Sequence, residues 1–347
     1  MLERLAADLG HRATVGMPLG PLTTYGVGGP AALFVEVEGP EDLEAVRRAW
    51  RASAGTSTDA PPPPVFVIGR GSNLLVADEG FDGLVLHLGA GFSGVDLPPA
   101  KGEEHAAPPE GQAIVRAGAA VALPVLARRV ADAGWHGLSW AVGVPGSVGG
   151  AVRMNAGGHG SDMASCLVRY SWVDLAGAAG GTDGVERLDY AYRSSAVAPS
   201  HVVVAAELSV TPGSAAAEQA AVSDIVKWRR EHQPGGSNAG SVFTNPEGDS
   251  AGRLIEAAGL KGFRLGSAHV SDKHANFIQA DKGGRAGDVR ALMRHVRQVV
   301  AAESGVELRA EVRLLGFPDG EDGAVDPVDA AGTDGGLVET PRTEARS

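Results

Sequence analysis

Ser139–Gly158 reads SWAVGVPGSVGGAVRMNAGG, and the reading of the chain turns on it. It carries Gly143, Gly146, Gly149, Gly150, Gly157 and Gly158, with Pro145, Arg153 and Asn155 as its stiff or polar punctuation. Each glycine costs about 1 kcal/mol against alanine inside a helix, so the stretch is expected to be a loop rather than an ordinary helix. Backbone this bare is useful where the main chain lies close to something bulky and turns its N–H groups towards it. An extended anionic cofactor is one candidate. A buried loop crossing between packed elements is the other, and this stretch alone does not separate them.

Two further stretches shift the balance. Val65–Val76, VFVIGRGSNLLV, is a short apolar strand, a tight turn over Gly69-Arg70-Gly71-Ser72-Asn73, and a resumed apolar run from Leu74. Successive turn N–H groups and the Ser72 hydroxyl form a nest suited to phosphate oxygens, and Arg70 adds charge. Thr23–Ala31, TTYGVGGPA, is a third glycine turn. Gly26, Gly28 and Ala31 fit the spacing of a Rossmann fingerprint, but that motif needs a strand before it and a helix after it. Ala32–Val37 reads as a strand, so a Rossmann domain is rejected.

Composition sets the outer bounds. The chain has 347 residues, enough for two or three domains, and its 44% hydrophobic and 21% charged residues describe a globular protein. Fifty glycines, about twice the average share, favour turns over long helices. A formal charge of −12 argues against non-specific binding of nucleic acid or acidic membrane, while local arginines and lysines still admit an anionic small substrate. The single cysteine, Cys166, excludes an intramolecular disulfide and fits a reducing compartment. No signal peptide or membrane-spanning run is read, so a cytoplasmic protein without membrane insertion is expected. The ten histidines show no paired metal spacing, no metal is expected, and His269 and His274 are read as surface residues. No G-x-x-x-x-G-K-[ST] is present, which argues against a P-loop phosphotransferase.

In chain order, Met1–Gly20 is expected to be a helical lead-in. Pro40–Trp50 is an amphipathic helix with Leu43, Val46 and Trp50 inward, and Phe81–Leu88 a strand able to pair with Val65–Val76. Ser53–Pro64 and Pro98–Gln112 are polar, proline-rich excursions. Ala113–Ala117, Leu167–Leu175 and His201–Val210 read as strands, and Leu123, Leu126 and Val130 mark a helix stopped by Gly134. Glu218–Arg230 is a helix with Val222, Ile225 and Val226 inward, Ala251–Leu260 another, and Gly287–Ser304 the clearest of all. Val306–Leu315 is the clearest strand: Val306, Leu308, Ala310, Val312 and Leu314 face one way, and Glu307, Arg309, Glu311 and Arg313 the other. Pro318–Ser347 is acidic and expected to be disordered.

TTYGVGGPA, GRGSNLLV and GVPGSVGGAVRMNAG, in that order, resemble the flavin-binding half of the UDP-N-acetylenolpyruvoylglucosamine reductases, FAD enzymes of peptidoglycan precursor synthesis. The resemblance runs from about Leu22 to about Gly316. It implies an α+β fold: two FAD-binding lobes of the vanillyl-alcohol oxidase type, over residues 1–88 and 89–212, and an α+β substrate domain over residues 217–317. FAD is the implied cofactor, with contacts at Tyr25, Gly26, Gly69, Arg70, Gly71, Ser72, Asn73, Leu74, Val144, Pro145, Gly146, Ser147, Gly149, Gly150, Asn155 and Gly157. NADPH is the implied reductant, UDP-N-acetylglucosamine enolpyruvate the implied substrate, and a monomer is expected.

Carried over residue by residue, the family's active-site arginine falls on Arg193, its proton donor on Ser241 within SNAGSVFTNP, and its second acid on Glu311 within EVRLLG. Substrate contacts fall on Tyr192, Asn245 and Lys261. A guanidinium suits a substrate carboxylate because it offers a planar fork of donors. A serine hydroxyl becomes a usable acid only beside a developing carbanion with water excluded. Pattern alone leaves Arg193 as a loop arginine, Ser241 as a turn cap, Lys261 as a solvated lysine and Glu311 on a wet strand face. The chain runs from Thr211-Pro212-Gly213-Ser214 directly into a helix, so it resembles the shorter type that lacks a tyrosine-bearing loop. His232-Gln233-Pro234 resembles the family's Lys-x-Pro with histidine where lysine is frequent, and Ala310 replaces a common proline. A flavin oxidase of the wider fold and a non-catalytic flavin or nucleotide-sugar binder are the alternatives. SNAGSVFTNP and EVRLLG oppose the first; intact Arg193, Ser241 and Glu311 oppose the second.

Overall fold

The structure, a computed structural model, describes residues 1–54, 61–99, 111–177 and 179–318. Most of the two expected excursions and of the acidic tail lies outside these residues.

The first sheet has four strands in the order Ala13–Pro18, Pro30–Val37, Phe81–Leu88, Val65–Ile68. The first pair is antiparallel and the other two pairs are parallel. Side chains alternate across Pro30–Val37, so its two faces feed two cores. Leu33, Val35 and Val37 meet Leu5, Leu9, Leu43, Val46 and Trp50 of the helices Leu2–Leu9 and Pro40–Ala54. Phe34 meets Ile68, Val85 and Leu315 on the other side.

The second sheet is antiparallel, in the order Gly180–Gly184, Leu167–Asp174, His201–Pro212, Ala113–Gly118, Val95–Asp96, with Trp135–His136 paired to the end of His201–Pro212. Its core takes in Leu123, Leu126 and Val130 from the helix Leu123–Asp132 and Val222 from the helix Ala215–His232. The third unit packs the helices Ala251–Ala257 and Ala286–Ser304 on a small sheet of Arg264–Leu265, Ala268–Val270 and Ile278–Ala280. The chain then returns: Arg313–Leu315 pairs in parallel with Leu74–Val76, directly after the turn Gly69–Asn73.

Five sequence expectations give way. The lead-in is a helix only to Leu9, followed by a short 3-10 turn and the strand Ala13–Pro18. Ser139–Gly158 is not all loop, because Val148–Met154 is a helix with Gly149 and Gly150 in its first turn. Tertiary contact overrides propensity there. Gly149 N–H donates to the Ala119 carbonyl at 2.9 Å, and a Cβ on Gly149 would stand 2.9 Å from that of Ala119. Ser147 caps this helix, its hydroxyl accepting from Gly150 N–H at 3.4 Å. Val306–Leu315 is extended but not one strand, because it changes partner. Thr244 N–H donates to the Arg309 carbonyl and Glu311 N–H to the Val242 carbonyl, and only Arg313–Leu315 joins a ladder. Its apolar face holds, with Leu308 and Val312 buried in the C-terminal core. Val226 is exposed rather than inward, and His269 and His274 are half-buried rather than on the surface.

Candidate active site

A cavity of about 540 Å³ opens where the three units meet. The turn Gly69–Leu74 forms one wall and Val144–Ser147 with Gly150 another, while Gly157–His159, Arg193, Trp228, Ser241 and Glu311 close the remaining sides. A second cavity of about 300 Å³ shares Val67–Arg70, Ser147, Gly150 and Arg153 with the first and continues past His87–Ala90 to His201. The glycine turn thus borders both cavities.

The charge of the larger cavity opposes that of the chain. Its lining holds Arg70, Arg153, Arg193, Arg229 and Arg313 against a single carboxylate, Glu311, in a protein of formal charge −12. Local cations in a low-dielectric cleft attract and hold anions regardless of the global sign. Gly146 and Gly158 border the cavity, yet a Cβ there would meet its nearest neighbours only at 3.6 and 3.9 Å. Packing within the protein does not demand glycine at either position, so the bare backbone leaves room for a ligand. Charge and bare backbone both fit a dinucleotide such as FAD, and Gly69–Leu74, Val144–Ser147 and Gly150 are the residues that would hold it.

Arg193 sits in the left-handed region at φ 56°, which is uncommon for a non-glycine residue and marks a position fixed by its surroundings. Its Nε donates to Glu311 Oε1 at 2.8 Å, Nη2 to the Gly157 carbonyl at 2.8 Å and Nη1 to the Asn155 carbonyl at 3.3 Å. Three acceptors therefore hold the fork in one plane. Glu311 is 13% exposed at its side chain. Burial pushes its carboxyl above the ordinary value and outweighs Arg193, which pulls the other way.

Ser241 follows Gly240, whose N–H donates to Asn238 Oδ1 at 3.0 Å. The next residues are clamped by the buried Asn276, whose Oδ1 accepts from Phe243 N–H at 3.0 Å and whose Nδ2 donates to the Phe243 carbonyl at 2.8 Å. Glu311 N–H reaches the Val242 carbonyl at 2.8 Å. The serine and the acid are thus carried by two extended segments bonded to each other, and both face the cavity with Arg193.

Of the sequence candidates, Gly69, Arg70, Gly71, Ser72, Asn73, Leu74, Val144, Pro145, Gly146, Ser147, Gly150 and Gly157 line the larger cavity. Gly149 borders the smaller one. The others stand elsewhere. Tyr25 is fully buried in the C-terminal core, where burial raises its phenol pKa. Gly26 makes the adjoining turn at φ 70°. Asn155 is a left-handed helix cap whose amide is taken by the Ala191 carbonyl and Ala164 N–H. Tyr192 is 61% exposed, its ring centroid 5.1 Å from the Arg193 guanidinium carbon. Asn245 accepts from Ala251 N–H at 3.1 Å at the start of a helix, and Lys261 pairs with Glu256 at 3.0 Å. His232 also stands outside the lining: its Nδ1–H donates to the Trp228 carbonyl at 2.8 Å and its ring stacks on that indole. Sequence reasoning missed His159, Trp228, Arg229 and Arg313 in the lining. For Trp228-Arg229 the signal was available, as a large aromatic and a cation near the end of a helix, beyond the apolar positions Val222, Ile225 and Val226.

Residues 33–179 match the family described as FAD binding domain, and residues 232–315 the one described as UDP-N-acetylenolpyruvoylglucosamine reductase, C-terminal domain. The chain is 41% identical over 315 residues to a UDP-N-acetylenolpyruvoylglucosamine reductase of Synechococcus sp. (strain RCC307), covering 90% of this chain and 96% of that protein. It is 40% identical over 322 residues to the reductase of Heliobacterium modesticaldum, covering 91% and 93%. The crystal structure of the reductase from Thermus caldophilus superposes with a TM-score of 0.69 at 34% identity, over 87% of this chain and 98% of that one. The α+β FAD-binding fold with a separate C-terminal α+β unit is therefore the fold of this protein. The chain belongs to the UDP-N-acetylenolpyruvoylglucosamine reductase family.

Proposed function

We propose that the protein is an FAD-dependent oxidoreductase that uses NADPH to reduce UDP-N-acetylglucosamine enolpyruvate to UDP-N-acetylmuramate, a step of peptidoglycan precursor synthesis. The observation that carries the reading is the Arg193–Glu311 pair, 2.8 Å apart, on the same cavity as Ser241 and the two glycine walls. Residues 1–88 and 89–212 are read as the lobes that hold FAD, and residues 217–317 as the unit that brings the substrate.

FAD bound along the glycine walls supplies the redox chemistry, with NADPH as the source of its electrons. The chain's own residues handle the substrate. An enol ether is electron-rich and accepts a hydride equivalent at its terminal carbon only if charge spreads onto the attached carboxylate. Arg193, its fork fixed by two main-chain carbonyls, holds that carboxylate. Glu311, whose proton affinity burial raises, donates in its protonated form a hydrogen bond to the oxygen where negative charge develops. Ser241 delivers a proton to the neighbouring carbon, and the remaining arginines hold the diphosphates. The groups act by alignment before the step, so little reorganisation accompanies it.

A single buried thiol, Cys166, suits a reducing compartment, and we place the reaction in the cytoplasm. A monomer is the assembly we propose, to be checked by sedimentation. The test of function is anaerobic. NADPH is expected to bleach the flavin, and UDP-N-acetylglucosamine enolpyruvate to restore its colour with formation of UDP-N-acetylmuramate by mass. A bleached flavin that ignores the substrate but recolours quickly in air would identify an oxidase instead.

A further inference from the structure

At the mouth of the larger cavity, the helix Ala215–His232 turns a large aromatic towards solvent. Trp228 is 43% exposed although it lines the cavity, whereas Val222, earlier on the same helix, is buried. It does not stand alone. His159 meets it edge to face, with ring centroids 5.1 Å apart at 90°, and His232 stacks on it at 4.7 Å and 12°. The corner is built. His159 takes a left-handed φ of 53°, and its ring lies where a side chain on Gly143 would be, because a Cβ there would stand 2.6 Å from His159 Cδ2. Arg229 is beside it, also on the cavity, its Nε donating to Gln233 Oε1 at 2.8 Å.

We propose that Trp228 and His159 form a stacking site for the heteroaromatic base of a nucleotide reactant, with Arg229 holding the diphosphate next to that base. The inference rests on the reductase reading, which supplies two reactants of this chemistry: a uridine diphosphate sugar and a pyridine dinucleotide. Aromatic side chains bind flat bases through their faces; His232 already covers one face of the indole, and the surface of Trp228 still in water is what a base would cover. Burial lowers the His159 pKa and the Arg229 charge lowers it further, so the ring next to the guanidinium is neutral and adds no repulsion to it. The arrangement explains why glycine stands at 143 and why an aromatic is tolerated in the open at 228.

The test uses the FAD-loaded full chain. UDP and inorganic pyrophosphate are titrated by calorimetry, and the NADPH concentration giving half-maximal bleaching is measured in parallel. Trp228→Ala is expected to weaken UDP about tenfold, from the usual strength of base–aromatic stacking, while pyrophosphate binding stays as in wild type. Trp228→Phe is expected to restore most of the loss, and His159→Ala to show a smaller loss of the same kind. A weakened UDP with unchanged NADPH assigns the site to uracil; the reverse assigns it to a base of the dinucleotide; loss of both assigns it to a shared position. If wild type turns over the enolpyruvyl substrate while Trp228→Ala binds UDP and NADPH as wild type does, the stacking site is overturned and the reductase reading stands. If wild type itself is neither bleached by NADPH nor recoloured by the substrate, both fall together.

Discussion

Asn73 donates from Nδ2 to the main-chain carbonyl of Glu311 at 3.1 Å, and its own carbonyl accepts from Arg313 N–H at 3.0 Å. The glycine turn on the cavity wall therefore also grips the segment that carries the acid, 238 residues further along. Asn73→Ala removes the donor and leaves a partly buried carbonyl unpaired, so it is expected to cost about 1–3 kcal/mol of unfolding free energy. It should also slow recolouring by substrate more than bleaching by NADPH. Denaturant titration and single-turnover absorbance check the two parts separately.

Glu311 sets a pH dependence. Its folded pKa lies above the reference value of 4.5 because burial outweighs Arg193. The folded state thus binds this proton more tightly than the unfolded state. Its contribution to stability is full below 4.5 and is lost as pH rises through the raised value. Activity follows the same direction, since the hydrogen bond to substrate needs the proton. The rate of recolouring should fall on the alkaline side, while the rate of bleaching does not follow that limb. Glu311→Gln, which keeps a donor but cannot titrate, should run slower and lose the limb.

Gly71 sits at φ 56°, and a Cβ there would stand 2.6 Å from Thr23 Cα and closer still to the Leu22 carbonyl. Both strains fall on main chain that cannot swing aside. Gly71→Ala is expected to cost about 2 kcal/mol or more and to lower FAD retention during purification. The ratio of flavin to protein absorbance and the thermal midpoint check this.

Cys166 is buried, and its thiol pKa is raised to about 12 by burial first and the Asp162 charge second. Almost no thiolate exists at neutral pH, so the native protein should resist a thiol-reactive disulfide reagent over hours and react with one equivalent on unfolding. Fast reaction of the folded protein would contradict the burial of this strand start.

What the sequence made legible follows from how locally each feature is encoded. Val65–Ile68, the turn after it and Leu74–Val76 were readable because apolar runs and turn glycines carry their own conformational preferences. Gly149 and Gly150 misled for the same reason. Their helix is set by Ala119, a contact invisible to propensity. Ala13–Pro18 was missed because its residues are mostly exposed on an edge strand and show no apolar alternation. In Val306–Leu315 the alternation was read correctly, yet the pairing partner changes midway, which no one-dimensional pattern records. Arg193, Ser241 and Glu311 come from three separate regions, and only the fold shows them on one cavity.

The central claim is that Ser241 delivers the proton in the step that consumes the substrate, and one measurement tests it most directly. Ser241→Ala, loaded with FAD, is bleached anaerobically with NADPH and then mixed with UDP-N-acetylglucosamine enolpyruvate in a stopped-flow instrument. The account predicts bleaching at the wild-type rate and recolouring slowed by about 100- to 10,000-fold, the usual contribution of a positioned acid. Recolouring at the wild-type rate with normal product would contradict it and remove Ser241 from the chemistry.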